Sequence, residues 1–231
     1  MHPSPTAILI FALSSKEEVT QKSISKGAHL FQALTNTTVN KVQKTGLPYF
    51  LISENEQRGT DFGERFTNAI KSVFDLGYTN IITIGNDTPQ LKTTHLLKAA
   101  KMLSVGKTTL GPSIDGGFYL LGMQKATFNV AEFQKLPWQK ESLLHSISNL
   151  LSEKLCNLHF LPKFFDIDSL LDIENILSSK AVISSYLIKI LLTLLHIQQR
   201  ALDTITFVFH NATAHIPNNK GSPSTSLAQL Q

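Results

Sequence analysis

The chain has 231 residues, 42% of them apolar and 16% charged, which excludes a disordered chain and is enough for one domain with a sizeable core. The net charge of +4 is mild and scattered, with no RGG tract, zinc-ligand set or basic stripe; this argues against nucleic acid and fits a small anionic ligand such as a nucleotide. Cys156 is the single cysteine, so no disulfide forms within the chain and a reducing, cytoplasmic setting is expected; no run reaches the ~18 apolar residues of a membrane span.

Residues 7–13 read as a first strand buried on both faces, not as a secretion signal, because a basic leader is missing and the apolar run spans only seven residues. Residues 16–45 read as mostly helical, with Ala28, Phe31, Ala33 and Leu34 packing inward and Gly46 as the stop. A second strand is expected at 49–53 and a loop at 57–60. Residues 61–76 form an amphipathic pattern with Phe62, Phe66, Ala69, Ile70 and Val73 on one face, Asp61 and Glu64 as a capping pair, and Gly77 at the end. The third strand is placed at 80–85, and a helix at 93–103 with Thr93 as the cap. Strands at 107–111 and 118–122 flank a tight Asp115-Gly116-Gly117 turn. A loop holding Leu136-Pro137-Trp138, a helix at 140–153, a strand at 157–161 and a helix at 169–178 complete the alternation. The pattern predicts an α/β fold with helices on both faces of a mostly parallel sheet, as one domain over residues 1–180.

Residues 181–200 are strongly apolar around most of a helix, with Ser185, Lys189, Thr193, His196 and Arg200 as a narrow polar stripe. Such a helix must be covered by its own domain, by a second copy, or by a membrane surface. Two basic residues are few for a membrane-surface helix, so docking on the domain or a homodimer contact is expected. The tail over 201–231 is expected to be disordered, since its end is rich in Asn, Pro, Ser, Thr and Gln.

The residues that carry chemistry gather at strand ends. Ile81–Ile84 runs into Gly85-Asn86-Asp87 and then Pro89, which presents a carboxylate where α/β sheets bind ligands. Asp87 either contacts a metal or ligand, or caps the following helix. Asp115-Gly116-Gly117 is either a turn alone or a turn that also lines the site. Asp166 and Asp168 flank Ile167 and would share one side of a strand; alternatively Asp168 caps the helix that follows. Arg65 pairs with a phosphate or with Glu64. Trp138 stacks on a ligand or belongs to the core. The eight histidines show no metal-binding spacing.

The ordered motifs Gln57-x-Gly59-x-x-x-Gly63-Glu64-Arg65, Ile84-Gly85-x-Asp87-x-Pro89-x-Leu91, Gly111-Pro112-x-x-Asp115-Gly116-Gly117-Phe118-Tyr119-Leu120, Leu136-Pro137-Trp138 and Phe165-Asp166-Ile167-Asp168 fall in register with a known family, in a match that covers residues 7 to about 178. They resemble a bacterial glycosyltransferase-like family with the GT-A fold, in the nucleotide-diphospho-sugar transferase superfamily. Its relatives include 2-phospholactate guanylyltransferase and molybdenum cofactor guanylyltransferase. The resemblance implies a Rossmann-like three-layer α/β/α architecture that binds a nucleotide at the carboxyl ends of its first strands. It implies Mg²⁺ or Mn²⁺ on Asp87, with Asp168 completing the shell, and Asp87 and Asp115 in catalysis. Lys22, Arg65, Gly85, Gly116, Gly117 and Trp138 are then nucleotide or substrate contacts. Hard cations of this kind take oxygen ligands from carboxylates and phosphates, in agreement with these residue types. The implied activity is glycosyl or nucleotidyl transfer.

The first loop departs from the family pattern of a Pro, a Gly and a Lys-Thr-Arg run. Here Ser14–Val19 lacks the Gly and carries Glu17 and Glu18, and the run falls on Thr20-Gln21-Lys22. Lys22 then stands in for an arginine as a point charge and not a fork. This departure supports a second reading, a member that binds a ligand or partner without turnover.

Overall fold

The computed structural model describes residues 6–22, 24–154, 157–179, 182–197 and 200. The chain divides into two units, Met1–Leu192 and Thr193–Gln231. In the first unit the strands are β1 (Thr6–Phe11), β2 (Tyr49–Ile52), β3 (Asn80–Ile84), β4 (Lys107–Pro112), β5 (Phe118–Gln124) and β6 (Asn157–Phe160). The helices are α1 (Ser15–Gln21), α2 (Ala28–Gln43), α3 (Phe62–Asp75), α4 (Thr93–Ser104), α5 (Val130–Gln134), α6 (Leu143–Glu153) and α7 (Leu170–Ser178), with a 3₁₀ turn at Lys125–Thr127.

One six-stranded sheet runs in the order β2-β1-β3-β5-β4-β6. Pairing is parallel throughout except at β5, which runs antiparallel to both β3 and β4. Every residue of β3 is buried, and the centre of β1 likewise, as continuous apolar runs require when both faces are covered. Alternation then sorts the side chains between two layers. Ala7, Leu9 and Ile81 meet Phe66, Ile70, Val73 and Phe74 of α3 together with Ile147 and Leu151 of α6. Ile8, Ile10, Ile82 and Ile84 meet Val42 of α2 and Leu96, Ala99 and Leu103 of α4. The architecture is the expected three-layer α/β/α.

Three local expectations shift. The helix expected over 16–45 breaks into α1 and α2, because Lys22 takes an extended conformation, Ile24 is buried and Lys26 sits at φ 60. Helix α6 begins at Leu143, since Gln139 at φ 60 follows Pro137 and delays it. Thr93 is not the cap of α4. Its hydroxyl donates to the Lys41 carbonyl at 3.0 Å, tying α4 to α2, and the preceding Lys92 N–H donates to His95 Nδ1 at 3.1 Å. The Asp61 cap of α3 holds, with its side chain accepting from the Glu64 N–H at 2.8 Å, while the Glu64 carboxylate returns to Thr60.

Residues 185–192 are helical, with Leu187 and Leu191 buried and Tyr186 and Leu192 exposed in a single copy of the chain. In the second unit, residues 193–197 are helical. Among the described residues no helix is long and apolar enough to cross a membrane. Cys156 and the tail over 201–231 lie outside the described residues.

Because β5 is reversed, the turn between β4 and β5 reaches the same edge of the sheet as the carboxyl end of β3. Gly116 makes this turn at φ +93, and a Cβ there would lie 2.2 Å from the Glu141 carbonyl oxygen. Gly46 has a comparable φ of +70 with nothing within 4 Å. Gly46→Ala therefore costs about 1–2 kcal/mol of backbone strain alone, and Gly116→Ala about 1–3 kcal/mol more from forced overlap. Urea unfolding of the two variants measures the difference; equal losses would show that the turn gives way freely.

Candidate functional site

The carboxyl ends of β1 and β3, the β4–β5 turn and the segment before α7 enclose a cavity of about 390 Å³, within the range of small-molecule sites. Its two ends differ in chemistry. One is ionic and the other aromatic.

The ionic end is built around the Lys22 ammonium. Its Nζ lies 2.7 Å from Asp87 Oδ2, 3.0 Å from Asp168 Oδ1 and 3.3 Å from Glu18 Oε2, and it donates to the Ile167 carbonyl at 2.8 Å. The Phe31 ring lies 5.5 Å away. The Lys22 side chain is only 13% exposed. Burial alone pushes an ammonium toward its neutral form, but Asp87, Glu18 and Asp168 outweigh it and hold Lys22 above the ordinary lysine value. Asp168 is free for this contact because Ser169 caps α7, its hydroxyl accepting from the Asp172 N–H.

Asp166 stands just behind. Burial pushes its carboxyl far up, the Asp87 charge adds to the effect, and the Thr88 hydroxyl donates to Asp166 Oδ1. Glu18 is also raised, first by burial. Gly85 gives the Asp87 side chain room to turn back, since a Cβ at Gly85 would lie 2.9 Å from Asp87 Oδ1. Lys41, lowered to about 8 by burial, donates to the Pro89 carbonyl at 3.0 Å and fixes the loop after Asp87.

The aromatic end consists of Phe11, Phe62, Phe66, Phe118 and Trp138. Trp138 is pinned by its indole N–H, which donates to the Phe133 carbonyl at 2.7 Å, and its ring packs edge-on against Phe66 with centroids 5.1 Å apart. Gly63 is required beneath it, for a Cβ there would lie 2.4 Å from the indole ring. Arg65 lines the same end. Its guanidinium makes one weak bond, to the Thr60 carbonyl at 3.4 Å, and Glu64 is engaged with Thr60 rather than with Arg65.

Lys22, Arg65, Gly85, Asp87, Asp115, Trp138 and Asp168 thus all line one cavity. Within the β4–β5 turn Asp115 Oδ1 is already used, accepting from Ser113 Oγ at 2.5 Å and the Gly117 N–H at 3.0 Å. Gly116 and Gly117 shape that turn and are not among the lining residues. The sequence reading missed Glu18 and Thr88, although the four-residue spacing of Glu18 and Lys22 along a helix was a visible signal.

A divalent cation suits this end by the chemistry of its donors, since Asp87 and Asp168 offer hard oxygens to one point. That point is filled by an ammonium, and its N–O distances exceed the ~2.1 Å of a Mg²⁺–oxygen bond. Among the described residues no group of three carboxylate, His or Cys side chains is placed to hold a metal by itself. Two carboxylates suffice when phosphate oxygens and water complete the shell.

The fold is that of the nucleotide-diphospho-sugar transferases. A protein of Desulfovibrio desulfuricans G20, provisionally described as one, superposes with a TM-score of 0.72 at 22% identity, covering 83% of this chain and 96% of its own. Residues 27–140 match the family described as "Uncharacterized protein conserved in bacteria (DUF2064)". Weaker structural matches include a 4-diphosphocytidyl-2C-methyl-D-erythritol synthase of Anaerococcus prevotii DSM 20548, with a TM-score of 0.45 at 12% identity over 69% of this chain and 87% of its own. A manganese complex of a Mycobacterium tuberculosis H37Rv protein gives 0.42 at 12% identity over 76% and 99%. No curated protein matches the sequence.

Raised carboxyl groups set a pH dependence. Burial raises the Asp166 and Glu18 carboxyls above their unfolded values, so the stability they contribute is complete below the unfolded carboxylate pKa and is lost as pH rises through their raised values. Asp166→Asn keeps an acceptor for Thr88 and removes the larger burden. Its melting temperature is expected to gain on the wild type as pH rises from about 4 to 7. Parallel curves for the two proteins over that range would show that Asp166 is ionised when folded.

Proposed function

We propose that this chain is a transferase acting on a nucleotide or nucleotide-sugar, by glycosyl or nucleotidyl transfer, in the cavity at the carboxyl edge of the sheet. The observation that carries the reading is the pairing of an ionic end, centred on Asp87, with an aromatic end, centred on Trp138, in one cleft. The aromatic end suits a base or sugar ring, by stacking and exclusion of water. Arg65 suits a phosphate or carboxylate, because its fork makes little use of protein acceptors. Lys22 suits the diphosphate.

Asp87 and Asp168 would hold Mg²⁺ or Mn²⁺, which when bound supplies neutralisation of the leaving diphosphate. Asp87 orients that charge from a rigid strand end, while the Lys41 contact with Pro89 keeps its loop in place. Burial raises the Asp166 carboxyl and so favours its neutral form at the back of the site.

Glu18 favours a second reading. It places a buried carboxyl where the related family carries neutral residues, which suits a member that binds without turnover. Release of pyrophosphate or nucleoside diphosphate on incubation with nucleotides or nucleotide sugars separates the two.

Asp87→Ala is expected to abolish Mn²⁺-dependent nucleotide binding with the fold intact, because Lys22 keeps Asp168 and Glu18. Calorimetry with a panel of nucleoside diphosphates decides it, and unchanged metal-dependent affinity would remove Asp87 from the site. In the wild type, a nucleotide at a hundred times its Kd adds about 2.7 kcal/mol of stability, which a thermal-shift screen with and without Mn²⁺ detects.

A further inference from the structure

The cavity carries more negative than positive groups. Glu18, Asp87, Asp115, Asp166 and Asp168 face only Lys22 and Arg65. A diphosphate entering alone meets net repulsion. A divalent cation entering alone meets a different obstacle, since the point between Asp87 and Asp168 already holds a positive charge.

We propose that Lys22 is a displaceable resident cation, seated between Asp87 and Asp168 where a divalent ion would be held and moving to the diphosphate when that ion and a nucleotide bind together. This rests on the functional reading above. The geometry supports each part. The ammonium spends its donors on Asp87, Asp168 and the Ile167 carbonyl, so in the ligand-free protein it satisfies the same oxygens that a metal would claim. Its side chain lines the cavity, so a rotation of the four-carbon stem carries the ammonium from carboxylates to an adjacent phosphate without a backbone change. The stem starts outside α1, at the extended residue that ends that helix, and its ammonium lies beside the Phe31 ring of α2.

The consequence is coupling. A metal arriving alone must expel an ammonium from a buried ionic pocket with no anion to receive it. With a diphosphate present the ammonium gains a new partner, and both ligands bind better together than apart. Lys22 thus makes the site refuse free metal and free nucleotide, and accept the complex of the two.

The test is direct Mn²⁺ binding to the full chain, followed by the paramagnetic signal of free Mn²⁺ and by calorimetry, with no nucleotide present. Lys22→Met keeps the stem and removes the charge. It is expected to bind Mn²⁺ about tenfold or more tightly than the wild type, within the usual range of coupling between sites, and to gain more melting temperature from Mn²⁺ than the wild type does. Equal or weaker Mn²⁺ binding by the variant overturns the proposal, as does a wild type that already binds Mn²⁺ tightly. Lys22→Gln is read in the same way. Should either variant fold only with Mn²⁺, the cation has replaced the ammonium and the proposal stands. If both remain unfolded with Mn²⁺ present, it falls. Tighter Mn²⁺ binding by the variant without any binding of UDP, CDP, GDP or ADP to either protein would keep the resident cation and overturn the nucleotide reading.

Discussion

The Lys22 ammonium joins three parts of the chain that are far apart in sequence. It ties the end of α1 to the carboxyl end of β3 through Asp87, and both to the segment before α7 through Asp168 and the Ile167 carbonyl. The backbone reinforces this junction, with the Ile167 N–H donating to the Asp87 carbonyl at 3.1 Å and the Phe165 N–H to Gln90 Oε1 at 2.9 Å. A buried charge left without its partner is strongly destabilising. The junction therefore demands some cation at every stage, which links the stability of the sheet's carboxyl edge to the occupancy of the site.

The reversed strand β5 is the second constraint. In a wholly parallel sheet every connection crosses over and returns to the opposite edge. Reversing β5 brings a short turn to the ligand edge directly beside β3, with Ile84 opposite Leu120. The turn is closed on itself by Asp115 and braced by Gly116 against Glu141, so it forms a firm wall rather than a loose loop.

The layered fold was readable because β1 and β3 are unbroken apolar runs and α3 has a regular apolar face. The gathering of Asp87, Asp168, Arg65 and Trp138 was also readable, through ordered motifs, while Lys22 was placed only through the altered first loop. What periodicity cannot show is which polar group meets which. Asp168 looked like a cap, yet Ser169 beside it takes that role and frees Asp168 for Lys22. Thr93 looked like a cap, yet its hydroxyl is spent on Lys41. Phe62 and Phe66 were assigned to the core by their spacing, and that assignment is sound, but the same face also forms the cavity wall. A helical pattern says that a face is covered and leaves open whether protein or ligand covers it. Lys22 was read as a phosphate contact, and its engagement with Asp87 and Asp168 depends on residues 65 and more positions away, which no local pattern encodes.

Trp138 is the only tryptophan in the chain, and it sits in the wall of the cavity with its indole N–H anchored and its ring among phenylalanines. The protein thereby carries its single indole at the place where a ligand ring would rest. Its emission colour and quenching follow the polarity and contents of that one site, uncontaminated by any other indole, so occupancy can be followed optically without a label.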